Sequence, residues 1–108
     1  MRIREIVVIL SNLTKVIRKD IDMPYELRRA IRKNYKLLTD EYILYEEERD
    51  KLKTKLKEGV DEHKVEKELE EILETEVNID IIKVPESIME SVLCSASDEM
   101  SLQFMLVD

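Results

Sequence analysis

Strong backbone breakers are scarce in this chain: one glycine, Gly59, and two prolines, Pro24 and Pro85, among 108 residues. A fold rich in sheet needs many turns, so this scarcity favours long helices. Between Pro24 and Gly59 nothing interrupts the chain, and Leu27, Ile31, Leu38, Tyr42, Tyr45, Leu52 and Leu56 fall on one seam stepped by threes and fours. Asn34 and Arg49 are the two polar interruptions of that seam. The pattern predicts one helix of roughly 50 Å, with Pro24 at its first turn and Gly59 as its C-terminal cap.

The breakers punctuate the rest. Ile3, Ile6, Val7, Leu10, Leu13 and Ile17 lie on one helical face, although the β-branched run within residues 4–11 also suits a buried strand. "DIDMP" (residues 20–24) separates this element from the long helix. Asp61 is placed to cap a third helix carrying Val65, Leu69, Ile72 and Leu73, which runs to about Glu74 and closes an antiparallel hairpin over the acidic end of the long helix. "TEVNIDIIKVP" (residues 75–85) then alternates Val77, Ile79 and Ile81 with polar residues, which predicts a β-strand. "PESIMESVL" and the stretch from Ser97 through "MSLQFML" read as short helices. The expectation is a single, mostly α domain of α+β type: a long helix in a helical hairpin, one short strand and short C-terminal helices.

A lone strand must find a partner for its N–H and C=O groups. Ile6 to Leu10 could supply one, and so could "LQFMLV" through Leu102, Phe104 and Leu106. The third choice is the same strand of a second copy across a two-fold axis, and the sequence favours it because helical spacing extends to Ile17 and Ser97 signals a helix start. That choice expects a homo-oligomer with Val77, Ile79 and Ile81 at its interface.

Charge narrows the function. The chain carries a formal charge of −7, which argues against general nucleic-acid binding. It is unevenly spread, however, with ten Lys and Arg against four Asp and Glu in residues 1–39 and one against six in residues 77–108. Arg28, Arg29, Arg32, Lys33 and Lys36 share an arc of about 140° on the long helix, opposite its apolar seam. Arginine binds phosphate through paired N–H groups, so the face could hold a phosphorylated ligand or an acidic host protein. The plainer alternatives are solubilising charge and docking onto the acidic surface of another protomer.

Catalytic signals are weak. His63 is the sole histidine and Cys94 the sole cysteine, in different segments and without CxxC or HxxxH spacing, so neither a metal nor a cofactor is expected. Ser11, Ser91 and Cys94 have no histidine at a defined spacing to act as base. The carboxylates from Glu46 to Asp50 and from Glu66 to Glu74 interleave with lysines, as on solvated helix faces. The tyrosines, near the seam or beside Pro24, suit packing better than base stacking. These features point to a binding protein rather than an enzyme. The single cysteine fits a reducing compartment, and "IVVIL" (residues 6–10) is too short for a signal sequence or a membrane span.

Three stretches, "MPYELRRAIRKNYKLLTDEYILYEEERDKL", "KELEEILETEVNIDIIKVP" and "ASDEMSLQFML", resemble in that order a family of small uncharacterised bacteriophage and prophage proteins. The likeness covers most of residues 23–106. It implies a phage origin, a host-cytoplasmic location and an accessory role, either sequestering a component of host defence or assisting particle assembly as a scaffold. Its motifs are structural and assign no functional residue.

Overall fold

The computed structural model describes residues 1–108. Four α-helices form: α1 (Ile3–Arg18), α2 (Tyr25–Lys57), α3 (Glu62–Leu73) and α4 (Ala96–Leu102), together with 3₁₀ turns at Glu86–Ser91 and Gln103–Met105 and two-residue strands β1 (Val84–Pro85) and β2 (Leu106–Val107). The mostly helical architecture and the long hairpin agree with the breaker argument, and residues 4–11 are helix rather than strand.

α2 is the splint along which α1 and α3 lie. At 1.5 Å per residue it spans about 50 Å, whereas α1 and α3 span about 24 and 18 Å, and the molecule measures 55 × 25 × 20 Å. Both short helices run back along α2: Val16 and Ile17 lie by Ile31, Val7 lies by Tyr42, and Lys55 pairs with Glu68. The end of α3 therefore meets the start of α1. There Arg4 pairs with Glu70 and Glu74, Arg2 pairs with Glu74 and Glu76, and Ile3 N–H donates to Thr75 O at 3.0 Å. The negative end of one helix dipole faces the positive end of the next.

Helix ends follow local chemistry. Gly59, at φ +88°, continues past α2 in the left-handed region. Gly59 N–H donates to Leu56 O and Val60 N–H to Lys55 O, both at 3.1 Å, which is the paired Schellman pattern. Asp61 caps α3 by accepting from His63 N–H at 3.0 Å. The turn after α1 uses Asp20 at φ +52°, a conformation aspartate tolerates better than most residues.

The core forms where α1, the first half of α2 and the C-terminal segment converge. Ile6, Leu13, Leu27, Leu38, Leu102 and Met105 are its largest fully buried apolar side chains. Lys19 donates to Asp98 at 2.7 Å, tying the end of α1 to α4, and Asp98 also forms a reciprocal cap with Ser95.

"TEVNIDIIKVP" is not one continuous strand. Its alternation is real in burial, since Val77, Ile79 and Ile81 pack against the core while Asn78 and Asp80 face solvent. Its backbone partners come piecemeal from within the chain. Val77 N–H donates to Met1 O at 2.8 Å, and Glu76 forms an isolated antiparallel bridge with Arg2. Ile81 N–H turns back onto Ile79 O at 3.0 Å. The buried side chain of Asn34 then meets both polar groups of Ile82, with Nδ2 donating to its carbonyl at 2.9 Å and Oδ1 accepting from its N–H at 2.8 Å. Ladder pairing begins only at Val84–Pro85, parallel to Leu106–Val107. So "LQFMLV" supplies a short partner, Met1 to Ile3 another, and an amide side chain acts as the third. The reason for placing Val77, Ile79 and Ile81 at an interface between copies falls away, because the demand for a partner strand is met intramolecularly.

Candidate functional site: the basic face of α2

Burying Leu27, Ala30, Ile31, Asn34 and Leu38 turns the opposite side of α2 to solvent, and Arg28, Arg29, Arg32, Lys33 and Lys36 are all exposed there. Elsewhere Arg2, Arg4, Lys19, Arg49, Lys51 and Lys55 pair with carboxylates, while Lys15, Arg18, Lys53, Lys57, Lys64, Lys67 and Lys83 do not. None of the five on this face of α2 comes within 4.0 Å of a carboxylate. No acidic residue lies between Glu26 and Asp40 to neutralise them along the helix.

The face is also shaped. The Arg28 guanidinium sits 5.7 Å from the centre of the exposed Tyr25 ring. Tyr25, Arg28, Arg29, Arg32 and Lys33 surround an open depression of about 380 Å³. On the other side, Arg28 and Arg32 line a small cleft of about 80 Å³ together with the carboxylate-bearing Asp20 and with Val16, Ile17 and Ile31, where the chain turns from α1 into α2. The same edge of α2 continues through Tyr35, Thr39 and Tyr42, because steps of four and three keep residues on one side of a helix. Together with Val7, Ser11 and Thr14 of α1, those residues line a groove of about 510 Å³. Thr14 spends its hydroxyl on Leu10 O at 2.8 Å, whereas Thr39 Oγ1 is buried without a partner. The arrangement is a cationic face and, further along the same edge of α2, a separate groove lined by hydroxyl, aromatic and apolar side chains. That combination suits an anion carrying a less polar body.

Other candidate residues do not converge. His63 is exposed at the start of α3, and Cys94 is half-buried beyond the 3₁₀ turn. Burial, aided by the Asp98 and Glu99 carboxylates, pushes the Cys94 thiol up, away from the thiolate form a nucleophile needs. No group of three or more His, Cys, Asp or Glu side chains is arranged to hold a metal ion. Arg49, the second interruption of the seam, lies 5.6 Å from the centre of the Tyr45 ring and near Glu46.

Sequence reasoning located the five cations but not the groove beside them. Its signal was present in the spacing of Arg28, Arg32, Tyr35, Thr39 and Tyr42, and only the position of α1 turns that stripe into a wall. No helix is long and apolar enough to cross a membrane. No family model matches the chain, and neither a curated protein nor a solved structure matches it.

Proposed function

We propose that this is a non-catalytic phage accessory protein that sequesters an anionic component of host defence, with the basic face of α2 as the contact surface. The observation that carries this reading is the set of five exposed cations without a carboxylate partner on one face of α2, four of them around one depression with Tyr25. A phosphorylated small molecule, such as a nucleotide signal, fits the combination best. Its phosphates would take charge-assisted hydrogen bonds from Arg28 and Arg32, and its body would lie along Tyr35 and Tyr42. The phage origin and the cytoplasmic setting rest on the sequence resemblance.

Isothermal titration with nucleoside mono-, di- and triphosphates and with cyclic and oligonucleotide signals tests the reading. At least one should bind with micromolar affinity that weakens with salt, and Arg28→Glu with Arg32→Glu should weaken it at least tenfold while the melting temperature holds. An absence of binding across that panel, or equal binding by the double variant, would overturn it. A second reading, an assembly or scaffold role, is favoured by the apolar residues Ile43 and Leu44 exposed further along α2.

A further inference from the structure

The residues that line the α1–α2 groove belong to stripes that continue beyond it on both helices. On α1, Val7, Ser11 and Thr14 line the groove, and the next step of four along that helix is Arg18, with Lys15 between Ser11 and Arg18 by steps of four and three. On α2 the facing stripe runs from Tyr42 through Thr39 and Tyr35 to Arg32 and Arg28. The two helices are antiparallel, so the cationic ends of both stripes meet where the chain turns. There Ile17, the neighbour of Arg18, lines the small cleft with Ile31, Arg28 and Arg32. Lys15 and Arg18 are exposed and, like the five cations of α2, have no carboxylate within 4.0 Å. Between Glu5 and Asp40 the acidic residues are Asp20, Asp22 and Glu26. Glu26 stands on the side of α2 away from Arg28 and Arg32, whereas Asp20 lines the cleft with them.

We propose that the anion site has two walls, with Lys15 and Arg18 of α1 standing across the cleft from Arg28 and Arg32 of α2, and that it therefore selects ligands carrying two or more linked phosphates over monophosphates. This rests on the anion-binding reading of the basic face and narrows what that face holds. Four cations against the single carboxylate of Asp20 leave a surplus of three positive charges. A phosphate monoester carries at most about two negative charges at neutral pH, so one such group leaves part of the surplus unmatched. A second linked phosphate supplies the missing charge, and its length lets one end meet α2 while the other meets α1. Helices in contact stand about 8 to 10 Å apart, a gap that long cationic side chains from both walls bridge onto one chain of phosphates. Each guanidinium offers paired N–H groups to the phosphate oxygens. Without a ligand the four cations repel one another across the cleft, and Asp20 relieves part of that repulsion. The same carboxylate opposes the anion that binds.

Isothermal titration of the full chain with inorganic phosphate, pyrophosphate and tripolyphosphate, and in parallel with AMP, ADP and ATP, tests the proposal. Wild-type affinity should rise about tenfold from one phosphate to two in either series. A tighter nucleotide series marks a nucleotide as the source, equal series mark the bare phosphate chain, and both support the two-walled site. Lys15→Ala with Arg18→Ala should abolish the rise at unchanged melting temperature, while affinity for a single phosphate holds. Asp20→Asn keeps a residue that tolerates the left-handed turn and should tighten pyrophosphate binding about threefold. A wild type that binds one phosphate as tightly as two, or a double variant that keeps the rise, overturns this inference. The basic-face reading then still stands if Arg28→Glu with Arg32→Glu weakens binding. No binding in either series overturns the two-walled site, and the basic-face reading falls with it only if its wider panel fails too. If the double variant does not fold, Asp20→Asn decides, and an unchanged affinity for pyrophosphate overturns the proposal.

Discussion

The two halves of α2 are supported in different ways. Its first half is clamped by α1 on one side and the C-terminal segment on the other, within a cluster of 14 buried side chains. Its second half projects with α3 as a two-helix arm where Leu52 and Val65 are buried outside that cluster. The arm is held by devices close in sequence: the Schellman turn at Gly59, the Asp61 cap and surface pairs such as Lys55 with Glu68. Each contributes only tenths of a kcal/mol to about 1 kcal/mol. A single unbroken helix thus passes from a region fixed by tertiary burial into one fixed by local propensity, and its sequence changes from seam-bearing to densely charged along the way.

Substitution can break this contrast directly. Leu13→Ala removes a fully buried side chain from the body and should cost about 3 to 4 kcal/mol, seen as a lower denaturant midpoint for the whole molecule. Leu52→Ala in the arm should cost about 2 kcal/mol, the low end for a buried leucine, seen mainly as faster amide exchange over residues 46–70. Equal effects on one cooperative transition would mean that body and arm form a single unit.

The next test concerns the body alone. Asn34→Ala leaves the N–H and carbonyl of Ile82 without their partner and opens a cavity beside Met105. A loss of about 3 kcal/mol is expected, with exchange protection lost across residues 77–83 while the arm is unchanged. Retention of that protection would show that burial of Val77, Ile79 and Ile81 suffices without the amide.

The smallest effect is a dependence on pH. The Lys19 ammonium holds the Asp98 carboxyl below its usual range, against the opposing push of burial. A group depressed in the folded state stabilises it fully above the unfolded carboxylate value of about 4, and that contribution is lost as pH falls through the folded value. Wild-type melting temperature should decline in that acid window. Asp98→Asn should start lower at neutral pH and decline less. Parallel pH profiles for the two proteins would remove Asp98 from the acid response.

How much of this could be read from the sequence follows from the range of the forces involved. Gly59, Asp61 and the seam of α2 act within a few residues, so the long helix, its hairpin and its exposed cations were legible. The period of two in residues 77–81 correctly gave which side chains turn inward. It could not reveal that the backbone's partners are scattered among Met1, Asn34 and Leu106, because alternation reports burial and is silent on pairing. Asn34 stood out as a polar intrusion in an apolar seam, and Ile82 lay in a segment that needed a partner. Those are two halves of one interaction, separated by 48 residues, which sequence spacing does not join. The groove was hidden for the same reason, since one of its walls belongs to α1.

The amide clasp between Asn34 and Ile82 has a consequence for synthesis on the ribosome. α1 and the first half of α2 emerge well before residue 82, and their nearest contacts are already available for pairing. The side of that nascent hairpin which will receive Val84, Leu102 and Met105 remains open to water, with the Asn34 amide wet, until the C-terminal stretch leaves the exit tunnel. A chain stalled or truncated before that point would present an apolar surface with a hydrogen-bonding group at its centre, a form for chaperones to hold and proteases to remove. The emergence of residues 82–106 is thus the step that closes this core.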